Sequence, residues 1–373
     1  MSLPLVSILI PTYNSEQWVA QTIRSALGQT WQSKEIIIVD DGSTDRTLQV
    51  ARQFESESVR VFSQQNQGAA AARNKAFSLS QGDYIQWLDA DDLLAADKIA
   101  RQMEVVGSGE SPRTLLSSPW GPFTYRVHRA EFTPNALWCD LSPAEFLVRK
   151  LGQKIFMQTA VWLVSRELSE AAGPWDVSLV SDDDGEYFCR VMLASTGIRF
   201  VPDAKVYYRR VGTGRLSYVG RADNKLEALW RSMQLHIGYL RSLEDSERVR
   251  AACMQYLQNY IVVFYGQRPD IVDQMHEVAR GLGGALQDPR LPWKYAWIKS
   301  LFGWSFAKRA QLFFPSVKWS VLRSLDRVQF SIEEKFLAKD KGLRFQDGGV
   351  ASKSPVHTPR QQAEVKPRRK SGL

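Results

Sequence analysis

Residues 36–45 read IIIVDDGSTD: four β-branched apolar residues, then two aspartates, a glycine and a polar turn. Such a run is typical of a strand that is buried on both faces of a parallel sheet. Similar apolar runs occupy 6–10, 59–62 and 84–88, and stretches of helical length separate them at 15–29, 44–55 and 68–80. Short strands that alternate with helices predict an α/β fold with a mostly parallel central sheet flanked by helices.

Three of these strands end in distinctive polar groups. The groups are Pro11-Thr12-Tyr13-Asn14, Asp40-Asp41 and Asp89-Ala90-Asp91-Asp92. Ligands of open parallel sheets bind at the carboxyl ends of the strands, so these side chains are expected to share one crevice. Carboxylates crowded at one edge repel one another unless a cation lies among them. Mg²⁺ or Mn²⁺ with a nucleotide diphosphate would relieve that repulsion.

Length, charge and cysteine content exclude several classes of protein. The 373 residues carry a net charge of +8, and the three cysteines contain no CxxC pair, so a disulfide scaffold and a zinc ribbon are disfavoured. No apolar run reaches the ~18 residues of a membrane-spanning helix, and no basic segment precedes the first apolar run as in a signal peptide. These features predict a cytoplasmic protein.

Two other phosphate-binding loops are missing from the sequence. No GxxxxGK[ST] is present, which argues against a P-loop NTPase. No GxGxxG follows the first strand, which argues against a dinucleotide-binding site. Phosphates would therefore depend on a metal ion and on basic side chains.

Five motifs together resemble the family 2 glycosyltransferases. They are ILIPTYN at 8–14, IIIVDDGSTD at 36–45, NQGAAAARN at 66–74, GDYIQWLDADD at 82–92, and GPWD at 173–176 leading into DDGEYFCR at 183–190. The match covers roughly residues 4–215. The resemblance implies a GT-A fold, a nucleotide-diphosphate sugar donor (a UDP-sugar above others), a divalent Mn or Mg ion and inversion at the anomeric carbon. The processive members' QxxRW motif has no counterpart, because the chain contains no Arg-Trp dipeptide, so single-sugar transfer is expected.

The resemblance also implies roles for individual residues. Thr12 and Tyr13 would lie against the base, and either Asp40 or Asp41 would bind the base or ribose. Arg73 would approach the diphosphate, and Asp91, followed by Asp89, would bind the metal. The full donor-binding set comprises Pro11, Thr12, Tyr13, Asn14, Asp40, Asp41, Arg73, Asp89, Ala90 and Asp91. Residues 207–210, followed by 212–217, resemble the flexible segment that closes over the donor, where Arg209 or Arg215 could reach the diphosphate.

The later acidic motif departs from the family pattern. It usually begins with Glu-Asp, whereas this chain has three adjacent aspartates at 182–184. Successive residues at a helix start point about 100° apart, so only one of them can face the sugar. Alignment on Glu186 and Arg190 favours Asp184 as the catalytic base, with Asp183 second. The alternative is that these carboxylates cap the helix and stabilise its dipole.

The positive charge is concentrated in the last quarter of the chain. From residue 290 onward there are 18 Lys and Arg against 6 Asp and Glu, a net of +12. Tryptophan, phenylalanine and lysine alternate within 290–320, which is typical of a helix on an anionic membrane surface, although packing on the catalytic domain is an equal alternative. We expect a catalytic domain at 1–220, a helical accessory region at 221–342 and a disordered basic tail at 343–373. Nucleic-acid binding is not expected.

The predicted function is metal-dependent, inverting transfer of a single sugar by a hexosyltransferase-type glycosyltransferase. The acceptor would be a glycan or a lipid-linked saccharide, and the protein would lie in the cytoplasm, peripherally on the inner face of a bacterial membrane. Two alternatives remain: a nucleotidyltransferase that makes a nucleotide sugar, and an inactive nucleotide-sugar binding module.

Overall fold

The computed structural model describes residues 3–210, 222–289, 301 and 320–333. Ten strands lie in this part of the chain: β1 (Val6–Thr12), β2 (Lys34–Asp40), β3 (Val59–Ser63), β4 (Tyr84–Trp87), β5 (Leu93–Leu94), β6 (Thr114–Ser117), β7 (Trp120–Phe123), β8 (Val164–Ser165), β9 (Gly197–Phe200) and β10 (Val206–Arg209). The four predicted strands of the first 90 residues are all present. Each begins within two residues of its expected start because its apolar run is sharply bounded.

The central sheet has the order β3-β2-β1-β4-β8. The first four strands are parallel, and β8 joins β4 in the antiparallel direction. Ile36, Ile37, Ile38 and Val39 are fully buried, because helices cover both faces of the sheet. The predicted α/β class with a mostly parallel central sheet is therefore confirmed.

Ten α-helices accompany these strands between residues 19 and 281. They are α1 (Val19–Leu27), α2 (Thr47–Arg52), α3 (Ala69–Leu79), α4 (Lys98–Gly107), α5 (Pro143–Gln153), α6 (Arg166–Ala172), α7 (Asp183–Ala194), α8 (Asp223–Leu243), α9 (Glu247–Phe264) and α10 (Pro269–Gly281). Ser142 starts α5, because its hydroxyl accepts a hydrogen bond from the Glu145 amide and Pro143 occupies the first helical position. Helix α5 packs against α9, and α7 packs against α8.

Two small sheets, β5-β10-β7 and β6-β9, lie beside the central one. Strand β10 pairs with β5 immediately after the Asp89–Asp92 turn. This pairing places Arg209, the last residue of β10, next to that turn.

The chain divides into two compact units, Met1–Asp326 and Arg327–Leu373. Residues 320–333 are helical. In the first unit, the Asp326 carboxylate accepts hydrogen bonds from the Tyr125 amide at 2.9 Å and from Arg126 Nε at 2.7 Å. Among the described helices, none is both long enough and apolar enough to cross a bilayer.

Several expectations fall on other residues. Four of them lie outside the described residues: the boundary expected at 220, Arg215, most of the basic aromatic segment 290–320, and the tail at 343–373.

Candidate active site

The carboxyl ends of β1 and β2 present two buried polar atoms that lack partners in the described part of the chain. Thr12 is 3% exposed and Asp40 is 1% exposed, yet Thr12 Oγ1 and Asp40 Oδ1 form no hydrogen bond. Tyr13, directly after Thr12, is 46% exposed. Buried polar atoms are normally paired, so unpaired ones at a sheet edge indicate a ligand site.

Asp40 and Asp41, which the sequence leaves as alternatives, have different surroundings. Asp41 accepts hydrogen bonds from Gln64 Nε2 at 2.8 Å, from the Gln67 amide at 2.9 Å and from the Gly68 amide at 2.8 Å. Both of its oxygens are therefore used to hold the loop that leads into α3. Asp40 binds the Ser43 amide through Oδ2 and keeps Oδ1 without a partner in this region.

Asn14 joins two loops of the same edge. Its backbone is left-handed, with φ 46°. Its side-chain oxygen accepts a 2.8 Å hydrogen bond from the Thr44 amide, and its own amide donates to Ser43 Oγ at 2.9 Å. Asn14 thus fixes the loop after β1 to the loop after β2, and Pro11 lies within β1 opposite Val39.

Arg73, on α3, connects the two acidic motifs. Its Nη2 donates to Asp89 Oδ1 at 2.9 Å, and its Nη1 donates to Asp183 Oδ2 at 2.7 Å. The guanidinium also lies 4.4 Å from the centroid of the Trp175 ring. Burial alone would lower the pKa of Arg73, but the Asp183 and Asp89 carboxylates raise it above its ordinary value. Arg73 is therefore a permanent positive charge at the centre of the site.

The turn after β4 contains three aspartates in a short space. Asp89 and Asp91 are partly exposed, whereas Ala90 and Asp92 are buried. Asp92 accepts hydrogen bonds from the Arg209 amide and from Gln158 Nε2. Burial, and then the charges of Asp91 and Asp89, raise the pKa of Asp92 well above its ordinary value.

This donor set fits a hard divalent cation. Carboxylate oxygens are the ligands that Mg²⁺ and Mn²⁺ prefer, and the crowding felt by Asp92 is the kind that a cation relieves. No group of three or more His, Cys, Asp or Glu side chains in the described ranges is arranged to hold a metal. Further ligands would therefore have to be oxygens of a bound donor.

Arg209 differs from its expected role at the diphosphate. The residue is 1% exposed, and its guanidinium lies 4.3 Å from the centroid of Trp18 and 4.4 Å from that of Phe123. Its Nε donates to the Asp91 carbonyl at 2.7 Å. Burial lowers the pKa of Arg209 to about 10. Arg209 therefore supports the backbone of the Asp89–Asp92 turn. The sequence carries no sign of this role, because Trp18 and Phe123, whose rings enclose the guanidinium, are distant along the chain.

The three aspartates at 182–184 have different hydrogen-bond partners. Asp182 has φ 58° and accepts a 2.6 Å hydrogen bond from Ser232 Oγ. Asp183 binds Arg73, and Asp184 accepts a hydrogen bond from its neighbour, the Gly185 amide, and one of 3.4 Å from Thr159 Oγ1. Burial raises the pKa of Asp183 to about 6 against the influence of Arg73, and burial also raises the pKa of Asp184.

A network from α8 and α9 lies behind this turn, and sequence reasoning missed it. Ser232 contacts both Asp182 and His236 Nε2, while His236 Nδ1 lies 3.0 Å from Tyr256 Oη. Burial lowers the pKa of His236 to about 3, so its ring is neutral at physiological pH. Helical spacing marks Ser232 and His236 as one face of α8, but only the fold brings that face to Asp182.

Asp184 lines a cavity of about 200 Å³ formed by α5, α7, α8, α9 and the segment after α5. Asp183 is not among the lining residues. Lys150 and Lys154 line it as well, and neither was singled out in the sequence because isolated lysines carry no motif.

Comparisons with known proteins place part of the chain beside the glycosyltransferases. The model of glycosyl transferase family 2 matches residues 7–116. An uncharacterised glycosyltransferase of Haemophilus influenzae is 44% identical over 106 residues, which are 28% of this chain and 42% of that protein. A putative teichuronic acid biosynthesis glycosyltransferase of Bacillus subtilis, TuaG, is 43% identical over 104 residues, 27% of this chain and 41% of that protein. The chain thus matches about two fifths of the length of these two relatives.

A solved structure extends the likeness in fold. S. aureus TarS 1-349 in complex with UDP-GlcNAc superposes with a TM-score of 0.60 and 17% identity, over 74% of this chain and 81% of that chain. At this low identity, the superposition shows a shared GT-A fold and no more. With the family model matched at 7–116, this part of the chain is similar to the family 2 glycosyltransferases.

Proposed function

We propose that the protein transfers a single sugar from a nucleotide-diphosphate donor, a UDP-sugar above others, to a hydroxyl group of a glycan or lipid-linked saccharide. The observation that carries the proposal is the bridge of Arg73 between Asp89 and Asp183, which joins the turn after β4 to the turn that opens α7. A UDP-sugar is favoured as the donor because TarS, which has the same fold, was crystallised with UDP-GlcNAc.

Roles on the donor side follow from the unpaired atoms. Thr12 Oγ1 and Asp40 Oδ1 would bind the base or ribose, with the exposed Tyr13 ring beside the base. Asp41 and Asn14 would support this region indirectly, since their side chains already hold the loops. Arg73 would oppose the negative charge of the diphosphate.

A divalent ion at Asp91 and Asp89 would stabilise the charge that grows on the leaving diphosphate. The proton transfer would be carried out by a residue of the chain. Asp184 would take the proton of the acceptor hydroxyl as it attacks, because it faces the cavity while Asp183 is paired with Arg73. A single displacement with one base inverts the anomeric carbon.

A donor screen followed by product analysis tests this proposal. A thermal-shift series of nucleotide sugars with and without Mn²⁺ should show a metal-dependent stabilisation by one donor, since a ligand that binds the native state raises its stability. Release of nucleoside diphosphate is expected on turnover. Release of pyrophosphate from a nucleoside triphosphate would instead favour a nucleotidyltransferase, and binding without turnover would favour an inactive binding module.

Asp91→Ala supplies the site-specific test. It should abolish the Mn²⁺-dependent part of donor binding and turnover. Asp97→Ala is the matched control, because Asp97 is partly exposed and its carboxylate pairs with Arg101 on α4, away from the turn. If Asp91→Ala left metal-dependent turnover at the control level, the assignment of this turn would be wrong.

We further propose peripheral contact with an anionic membrane. The supporting observation in the described residues is a pair of exposed apolar side chains, Val321 and Leu325, in the helical segment that ends the first unit. Their spacing of four residues places them on one face of the helix. Full-length protein should co-sediment with vesicles rich in anionic lipid and not with neutral vesicles, and Leu325→Asp should weaken that binding. Equal binding to both kinds of vesicle would contradict the proposal.

A further inference from the structure

The cavity beside Asp184 has the size of a subsite for one unit of a chain. Its volume of about 200 Å³ is below the roughly 300–1,000 Å³ of pockets that enclose whole ligands. Asp184 lies in its lining together with residues of α5, α8 and α9. A sugar that enters this cavity would present a hydroxyl to the proposed base.

Aromatic rings form much of the cavity wall. Phe156, Trp162, Tyr256 and Tyr260 all line it. Phe156 is 46% exposed, and its ring contacts Trp120 and Tyr208 at centroid distances of 5.4 and 5.5 Å. The aromatic surface therefore continues from the cavity to the outside of the molecule, which suits an extended acceptor with one unit inserted.

Two ammonium groups at the C-terminal end of α5 face the same cavity. Lys154 donates to the Asn259 carbonyl at 3.2 Å and lies 4.4 Å from the Tyr260 ring centroid. Lys150, one turn earlier, also lines the cavity. In the described part of the chain, the Lys150 ammonium forms no hydrogen bond and no ion pair within 4 Å, and its charge opposes the rise in pKa that burial causes at Asp182 and Asp184.

The two carboxylates of the cavity have other partners. Asp182 accepts its short hydrogen bond from Ser232, and Asp184 accepts from the Gly185 amide and Thr159. Lys150 therefore offers three donors and a positive charge in an aromatic, partly enclosed space. A lysine ammonium in such surroundings is a good ligand for the oxygens of a phosphate or carboxylate.

We propose that this cavity binds an acceptor sugar that carries an anionic oxygen group, either a phosphate or a carboxylate, and that Lys150 recognises that group with help from Lys154. The proposal rests on the proposed function, since it names the acceptor class of that reaction. It makes Lys150 a specificity-determining residue that the family motifs do not include.

The test measures binding of three matched glycosides to full-length protein saturated with UDP: a neutral methyl hexoside, the corresponding methyl hexuronide and the corresponding hexoside phosphate. We expect at least one charged glycoside to bind about tenfold more tightly than the neutral one, with dissociation constants up to about 10 mM. The two charged arms distinguish carboxylate from phosphate recognition. Equal binding of all three, or binding of none in that range, would overturn the proposal.

Variants link any preference to the lysines. Lys150→Gln should reduce the charged-to-neutral ratio about tenfold, Lys150→Arg should retain most of it, and Lys154→Gln should reduce it less. Lys75→Gln is the control, because Lys75 is an exposed residue on α3 outside the cavity. A Lys150→Gln variant that keeps the wild-type ratio contradicts the proposal even if the protein transfers sugar. Conversely, absence of any UDP-sugar turnover with the ratio intact would contradict the proposed function alone.

Discussion

Arg73 Nη1 donates a 2.7 Å hydrogen bond to Asp183 Oδ2, which joins residues 110 positions apart. The same guanidinium binds Asp89. One cation thus balances part of the charge of two acidic motifs. Asp183 is paired with this cation, whereas Asp184 lines the cavity. The predictions below follow from this division.

Replacing Arg73 should harm both stability and donor binding. Arg73→Gln leaves two partly buried carboxylates without their cation, and we expect a loss of about 3 kcal/mol in the free energy of unfolding, the low end for a buried pair because Asp89 is 30% exposed. Urea denaturation measures it. Arg101→Gln breaks a solvent-exposed pair on α4 and should leave the free energy of unfolding nearly unchanged. Similar losses in the two variants would show that the bridge is unimportant.

Asp184→Asn and Asp183→Asn should have different kinetic effects. Removing a general base typically costs about 10²–10⁴-fold in rate, so Asp184→Asn should lower kcat by that factor while donor affinity changes little. Asp183→Asn should mainly weaken donor affinity through Arg73. Initial rates and donor titration separate the two. A larger fall in kcat for Asp183→Asn would transfer the role of base to Asp183.

Stability should respond to pH in the direction opposite to activity. Burial raises the pKa of Asp183 to about 6 from an ordinary 3.8, so in this range the folded protein binds more protons than the unfolded chain. The contribution of Asp183 to stability is full below about pH 4 and is lost as the pH rises through about 6. Melting temperature should therefore rise by a few degrees between pH 7 and pH 5, while turnover falls as the carboxylates are protonated.

Asp183→Asn is the control for that pH response. It removes the titrating group, so the melting temperature should change less between pH 7 and pH 5 than in the wild type. An identical slope in both proteins would assign the effect to other groups.

Ser232→Ala should show that α8 supports the catalytic turn. The change removes a 2.6 Å hydrogen bond from the carboxylate of Asp182, a partly exposed residue in a left-handed conformation. We expect a loss of about 1–3 kcal/mol in the free energy of unfolding and a lower kcat with little change in donor KM. Ser242→Ala, on the exposed side of the same helix, is the matched control. Unchanged kcat in Ser232→Ala would limit Ser232 to a structural role.

The sequence by itself determined the α/β class and the sheet edge that carries the candidate site. Apolar runs such as 36–39 are typical of a strand that is buried on both faces. The side chains that follow parallel strands meet at one edge of the sheet, so the local pattern is sufficient to predict that edge. The sequence also indicated a helix that starts among the three aspartates at 182–184, and α7 begins at Asp183.

Only the tertiary structure decided which acidic residue faces which partner. Asp40 and Asp41 are equivalent in the sequence, but the loop into α3 uses both oxygens of Asp41. Arg209 lies between two rings distant in sequence, and Lys150 reaches the cavity because α5 packs against α9. These contacts depend on how helices and turns far apart in the chain are brought together, and no periodicity within one segment encodes the direction in which a side chain meets another element.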